Sequence, residues 1–226
     1  MSKGARYKYE ADYFTTRERS PTFALELDQV RRALMARRVL EGRILEIGAG
    51  SGALAQYCAT PSTVWIAADR DLRHFKVTER VPARIQALKC DALALPLKAG
   101  TFDAIVAQHV IEHFDHPVYV LRELNRVLRE DGVCVLVTPN RRFPRLAWFD
   151  DPTHRCLFDA LELTEAMVQA GFKKVSIKRL VPWFGSERLV YLSARIQRIL
   201  SLPLALIGEP SLGLLALGTK TSSGSR

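Results

Sequence analysis

Long uninterrupted apolar runs are missing from this chain of 226 residues. The apolar stretch at 189–207 carries Pro203, Arg195 and Arg198, which excludes a membrane-spanning helix. Residues 1–12 are polar and aromatic with no apolar segment, so no secretory leader is expected there. Cysteine is scarce. Cys58, Cys90, Cys134 and Cys156 lie far apart with no Cys-x-x-Cys pair, which argues against a zinc knuckle or a disulfide scaffold and for reduced thiols in a cytoplasm. No internal repeat is present, which excludes a solenoid. Lysine is sparse beside arginine, and a skewed genome composition is enough to produce the net charge of +9. Charge alone therefore does not name nucleic acid or anionic lipid as a partner. The length suits one sizeable α/β domain.

The chain is organised around Ile44-Leu45-Glu46-Ile47-Gly48-Ala49-Gly50-Ser51-Gly52-Ala53-Leu54. An apolar run that ends in glycines at every second position, followed by helix formers, reads as strand, tight turn, helix. Glycines at this spacing let the backbone turn sharply and approach a ligand that any Cβ would obstruct. The spacing is not the Gly-x-Gly-x-x-Gly of dinucleotide pyrophosphate sites. Glu46 places a carboxylate in an otherwise apolar strand, where filler is an unsatisfactory explanation.

A helix is expected over 22–40, then a second strand near 63–68 that ends at Asp69, 21 residues after Gly48. A carboxylate there can accept hydrogen bonds from both hydroxyls of a ribose, whereas Asp71 is expected to cap a following helix. A third strand, 84–89, runs into Cys90-Asp91-Ala92, with a turn aspartate as the plain alternative for Asp91. A fourth, 101–107, leads to Gln108-His109-Val110-Ile111-Glu112-His113. His109-x-x-Glu112-His113 matches an inverted metalloprotease spacing, but it lies just past a strand rather than on a regular helix, so a protease is set aside. A helix at 118–128, a fifth strand at 133–138, an arginine-rich loop, a helix at 160–170 and a sixth strand at 174–181 follow. Residues 189–200 read as a basic amphipathic tail helix, 212–218 as the last strand, and 219–226 as a frayed end.

Taken together, these motifs resemble the class I S-adenosylmethionine-dependent methyltransferases, in the type 11 and ubiquinone-methyltransferase-like superfamily. The match rests on Glu46-x-Gly48-x-Gly50-x-Gly52, Asp91-Ala92, Phe102-Asp103-x-Ile105, Glu112-His113 and Asp151-x-Thr153-His154. The resemblance implies an α/β fold: a Rossmann-like, seven-stranded, mostly parallel sheet with helices on both faces. The last strand would be antiparallel and inserted beside the fifth. One domain would span 1–226, with 1–42 as lid, 43–181 as cofactor-binding core, and 182–226 as tail helix and last strand. The implied cofactor is S-adenosylmethionine, with Glu46, Gly48, Ala49, Gly50, Gly52, Asp69, Arg70, Asp91, Ala92, Gln108 and His109 around it. Asp91 would meet the adenine amino group, and the Ala92 amide the ring. His113 and His154 are the candidate bases, with His154 preferred because its loop faces the acceptor.

Some relatives in this superfamily hold a divalent metal with Glu-x-x-Glu-His plus a later histidine. Here His109 replaces the first glutamate, which weakens Mg²⁺ preference, and no metal is expected. The implied acceptor is a small-molecule hydroxyl or amine. Arg141, Arg142, Arg145 and Arg155 cluster on the loop after the fifth strand and suggest an anionic acceptor, unless they pair with Asp150, Asp151 and Glu162. RNA or a quinone or lipid are the alternative acceptors, and a non-catalytic partner subunit is the non-enzymatic reading. Membrane contact through the tail helix is disfavoured, and the chain is expected to be a monomer or homodimer.

Overall fold

The computed structural model describes residues 18–19, 21–77, 84–142, 151–182 and 211–221. The aromatic segment around Tyr9 to Arg17, Arg145, Asp150, the loop aromatics Trp148 and Phe149, and the tail helix at 189–200 lie outside these residues.

Seven strands form one sheet: β1 (Arg43–Ile47), β2 (Val64–Asp69), β3 (Arg84–Lys89), β4 (Phe102–Gln108), β5 (Leu128–Pro139), β6 (Lys173–Pro182) and β7 (Ser211–Thr219). Their spatial order is β3-β2-β1-β4-β5-β7-β6. The pairs β1–β2, β1–β4, β2–β3 and β4–β5 are parallel, whereas β7 runs antiparallel to both β5 and β6. The strand order reverses at β1, so its carboxyl end opens between β2 and β4, the place where an open α/β sheet forms a crevice.

Strand alternation divides the core in two. Leu45, Ile47, Ile105 and Ala107 face one cluster, and Ile44, Ala104 and Val106 face the other. Helices α1 (Pro21–Ala36) and α2 (Ala53–Cys58) contribute to the second cluster through Val30, Leu34, Leu54 and Ala55. Helices α3 (Pro117–Val127) and α4 (Ala160–Gln169) contribute to the first through Leu121, Leu124, Leu163 and Met167. In α3, Val120, Leu121, Leu124 and Val127 make one buried stripe at helical spacing. Pro117 sits at its start, where a missing N–H is harmless. Each fully buried leucine contributes about 1.5–3 kcal/mol relative to exposure.

Several boundaries differ from expectation for identifiable reasons. Helix α1 ends at Ala36, and Arg38 then takes a left-handed φ of 53°. The Asp131-Gly132 signal marks a bulge within β5 rather than its start, since Asp131 has φ 58° and the register jumps between Phe102/Leu128 and Ala104/Val133. The far end of β7 is not frayed at Thr219 or Lys220: the Asp131 N–H donates to the Lys220 carbonyl at 2.8 Å, and Lys220 Nζ donates to the Leu128 carbonyl at 2.9 Å. No described helix is long and apolar enough to cross a membrane.

Candidate active site

All three glycines of the first turn have positive φ: 72° at Gly48, 52° at Gly50 and 83° at Gly52. A Cβ on Gly48 would lie 2.3 Å from Val110 Cγ2, and one on Gly52 would lie 2.9 Å from the Phe75 ring. The turn therefore threads between the segment after β4 and the segment after β2. The Gly48 and Ala49 amides donate to the Ala68 carbonyl at 2.9 and 3.2 Å. Asp69 closes the turn, with Oδ2 accepting from the Gly50 amide and Oδ1 from the Asp71 amide, each at 2.9 Å. Arg70 beside it is exposed.

Asp71 does not cap a helix, because no helix lies between β2 and β3 among the described residues. Its carboxylate instead accepts from the Arg73 amide at 3.1 Å and pairs with the Arg73 guanidinium. Asp91 also makes a turn, its Oδ1 accepting from the Leu93 amide at 2.9 Å; its side chain is exposed at the end of β3, with Ala92 half-buried next to it.

Glu46 is 3% exposed and accepts from the Trp65 indole Nε1 at 2.8 Å. Burial pushes its carboxyl up to about 8, against the Trp65 bond and with help from the Asp69 charge. The site's edge is thus a buried acid one residue before the end of β1, a turn of glycines at positive φ and a second acid that pins it.

At the end of β4 the chain takes another positive φ, 55° at His109. His109 is drawn between two carboxylates: its Nε2 lies 3.1 Å from Glu26 of α1, and its Nδ1 lies 3.3 Å from Glu112. Gln108 Nε2 donates to the same Glu26 oxygen at 2.9 Å. Glu26 carries no expectation above. The signal was available, because residues 26, 30 and 34 share a helix face on which Val30 and Leu34 are fully buried. A carboxylate on such a stripe needs a polar partner, and the end of β4 supplies two.

Glu112 and His113 lie on a 3₁₀ turn, Ile111–His113. Glu112 is fully buried, with Oε2 accepting from Thr138 Oγ1 at 3.2 Å. Burial pushes its carboxyl up, but the hydrogen bond and charge of His109 and the charge of His113 outweigh that and hold it below the usual carboxylate range. The Glu112 carbonyl accepts from the Arg155 and Cys156 amides at 2.7 and 3.0 Å, which fixes the loop at 151–156 over the turn. His154 comes to His113 with ring centroids 5.0 Å apart. One ligand atom each from Glu112, His113 and His154 lie within 4.8 Å of one another. His109 is not in this trio.

The arginines separate. Arg141 pairs with Glu162 at 2.6 Å and Arg142 with Asp159 at 3.1 Å, so two of the four serve the start of α4. There Asp159 and Glu162 form a reciprocal capping box. Arg155 is exposed and, with Arg141, His154, Cys156 and Glu162, lines an open cavity of about 470 Å³. Asn140 also turns out to be a tie: its Nδ2 donates to the Ser211 carbonyl and hydroxyl, joining the end of β5 to the start of β7.

A family model for a methyltransferase domain matches residues 17–177. A probable S-adenosylmethionine-dependent methyltransferase of Mycobacterium tuberculosis is 33% identical over 166 residues, covering 71% of this chain. The chain spans 58% of that relative's length. The malonyl-[acyl-carrier protein] O-methyltransferase of Laribacter hongkongensis is 27% identical over 204 residues, which cover 80% of this chain and 66% of that one. Among solved structures, a SAM-dependent methyltransferase from Archaeoglobus fulgidus superposes with a TM-score of 0.61 at 19% identity, over 92% of this chain and 99% of that one, a likeness of fold. With the family model spanning most of the strands and the glycine turn, the chain belongs to the class I S-adenosylmethionine-dependent methyltransferase family.

Proposed function

We propose that this chain moves a methyl group from S-adenosylmethionine to the hydroxyl or amine of a small molecule. The observation that carries this is the glycine turn: three residues at positive φ, two of them with Val110 or Phe75 standing where a Cβ would go, and Asp69 tied to the middle amide, so only glycine lets the backbone pass this close to its neighbours. In this reading Gly48–Gly52 and Glu46 receive the methionine end, Asp69 and Arg70 the ribose, Asp91 and Ala92 the adenine, and Gln108 and His109 close the far wall. The cofactor supplies an electrophilic methyl on a positively charged sulfur. The chain's own residues have to align the acceptor, exclude water and take its proton. In this reading His113, on the 3₁₀ turn, and His154, on the loop beside it with its ring centroid 5.0 Å away, are the candidates for taking that proton.

Calorimetry is expected to give one S-adenosylmethionine per chain and no NAD binding. His113→Ala is expected to lower kcat by about 100- to 10,000-fold, the usual worth of a general base, while cofactor affinity stays the same. NAD binding without S-adenosylmethionine binding would overturn the proposal. Anionic character of the acceptor now depends on Arg155 and the cavity beside His154, because Arg141 and Arg142 are neutralised by carboxylates. The O-methyltransferase name of the Laribacter relative favours an oxygen acceptor.

Metal-independent transfer is the first reading. The Glu112, His113 and His154 trio favours a second, since one carboxylate and two imidazoles suit Zn²⁺, Mn²⁺ or Co²⁺ better than Mg²⁺. The two readings part on dialysis against EDTA. Full activity afterwards supports transfer without metal; a large loss restored by Mn²⁺ or Co²⁺ replaces that reading with the metal one.

A further inference from the structure

The loop at 151–156 forms neither helix nor strand, yet its hydrogen bonds have a fixed direction. Asp151 Oδ1 accepts twice from Thr153, from the amide at 2.8 Å and from the hydroxyl at 2.6 Å. His113 Nδ1 lies 3.0 Å from the Thr153 hydroxyl oxygen and 3.2 Å from the Thr153 carbonyl oxygen. A carbonyl only accepts, and a hydroxyl owns a single hydrogen, which here goes to Asp151. Both contacts to His113 are therefore donated by its Nδ1. The neutral imidazole is the Nδ1–H tautomer, and its lone pair is on Nε2.

His154 is arranged differently. Its Nε2 lies 3.7 Å from Asp151 Oδ2, so the same carboxylate faces both rings, one through a hydroxyl and the other directly. Burial pushes the Asp151 carboxyl up, but its Thr153 bonds and the charges of His154 and His113 hold it below the usual range, which keeps it an acceptor.

We propose that Asp151 and Thr153 are positioning residues that set the tautomer and direction of the His113 ring, making His113 Nε2, rather than His154, the atom that takes the acceptor's proton. The proposal rests on the methyltransferase reading. In the step itself, a bond forms from the acceptor oxygen or nitrogen to the methyl carbon as the carbon–sulfur bond breaks and its electron pair stays on sulfur. The acceptor's proton passes to His113 Nε2. The imidazolium so formed keeps donating its Nδ1–H to Thr153, whose hydroxyl keeps its own hydrogen and donates it to Asp151, so the new positive charge faces an ionised carboxylate across one hydroxyl. This reverses the preference for His154 drawn from its loop position.

Two measurements test it. Long-range ¹H–¹⁵N spectra of the wild-type chain, with His113 assigned through His113→Gln, are expected to show the Nδ1–H tautomer in the neutral ring. Thr153→Val is expected to lower kcat by about 10- to 100-fold, the scale seen for outer partners that orient a metal-bound imidazole and taken here for a free one, with KM and S-adenosylmethionine affinity unchanged. Thr153→Ser, which keeps the hydroxyl, is expected to restore kcat to within a few-fold, and His154→Gln to lose less than His113→Gln. An Nε2–H tautomer in the wild type, or a Thr153→Val chain with full kcat, overturns the assignment. A chain that binds no S-adenosylmethionine but has the Nδ1–H tautomer would refute the methyltransferase reading and leave the geometry of the relay standing.

Discussion

Gly48→Ala is expected to weaken S-adenosylmethionine binding by about 100-fold or more, equivalent to about 3 kcal/mol. Two penalties add at this position. The residue holds φ 72°, where an L side chain is strained by about 1–3 kcal/mol. Its new methyl would also lie 2.3 Å from Val110 Cγ2, and Val110 is 8% exposed within a packed cluster, with little room to retreat. Either the turn opens or Val110 pushes on the segment carrying Glu112 and His113, and both outcomes disturb the proposed cradle. Gly100→Ala is the matched control. Its φ is 67° and no atom lies within 4 Å of the added methyl, so it should show only the dihedral penalty, with a melting temperature lower by a few degrees. Cofactor affinity by calorimetry and melting temperature by calorimetric scan separate the two. A Gly48→Ala chain that binds the cofactor like wild type would remove the glycine turn from the proposed site.

How much of this was readable beforehand depends on the physical origin of each feature. The parallel strands are buried on both faces, so Ile105, Val106 and Ala107 announce themselves as a continuous apolar run. The positive dihedrals of Gly48, Gly50 and Gly52 follow from glycine spacing. The insertion of β7 between β5 and β6 does not, because strand order is a long-range property; it came from the family resemblance. Asp71 was misread for a related reason. Aspartate starts helices and turns by the same side-chain-to-backbone bond, and only the following residues, Leu72, Arg73 and His74, decide which one forms.

The polar network at the ends of β4 and β5 was the least legible part. Glu26 lies 83 residues from His109, and nothing local joins them. Thr138 and Thr153 are ordinary strand and loop threonines until folding sets them against Glu112 and His113. The arginine cluster was legible only in part: Arg141 found Glu162, the pairing weighed against an anionic target, and Arg142 found Asp159, whereas Arg155 stays exposed and Arg145 lies outside the described residues.

Glu46→Gln should change how stability depends on pH more than any other single substitution in the core. The folded-state pKa of Glu46 is raised from 4.5 to about 8 because burial disfavours the charged form. Below 4.5 the carboxyl is protonated in both states and its contribution is complete; as pH rises, the unfolded chain gives up the proton first and the folded chain holds it until about 8. Stability is therefore lost progressively across this window, by about 5 kcal/mol at its upper end. Glutamine keeps an oxygen to accept from Trp65 Nε1 and replaces the carboxyl hydroxyl with an uncharged amide, so it imitates the protonated acid at every pH. Urea unfolding at pH 5, 6.5 and 8 is expected to show near-equal stability at the lowest pH and a growing advantage for the variant above it. Parallel curves for the two proteins would mean that Glu46 is already ionised in the folded chain at neutral pH, with its charge compensated at the glycine turn.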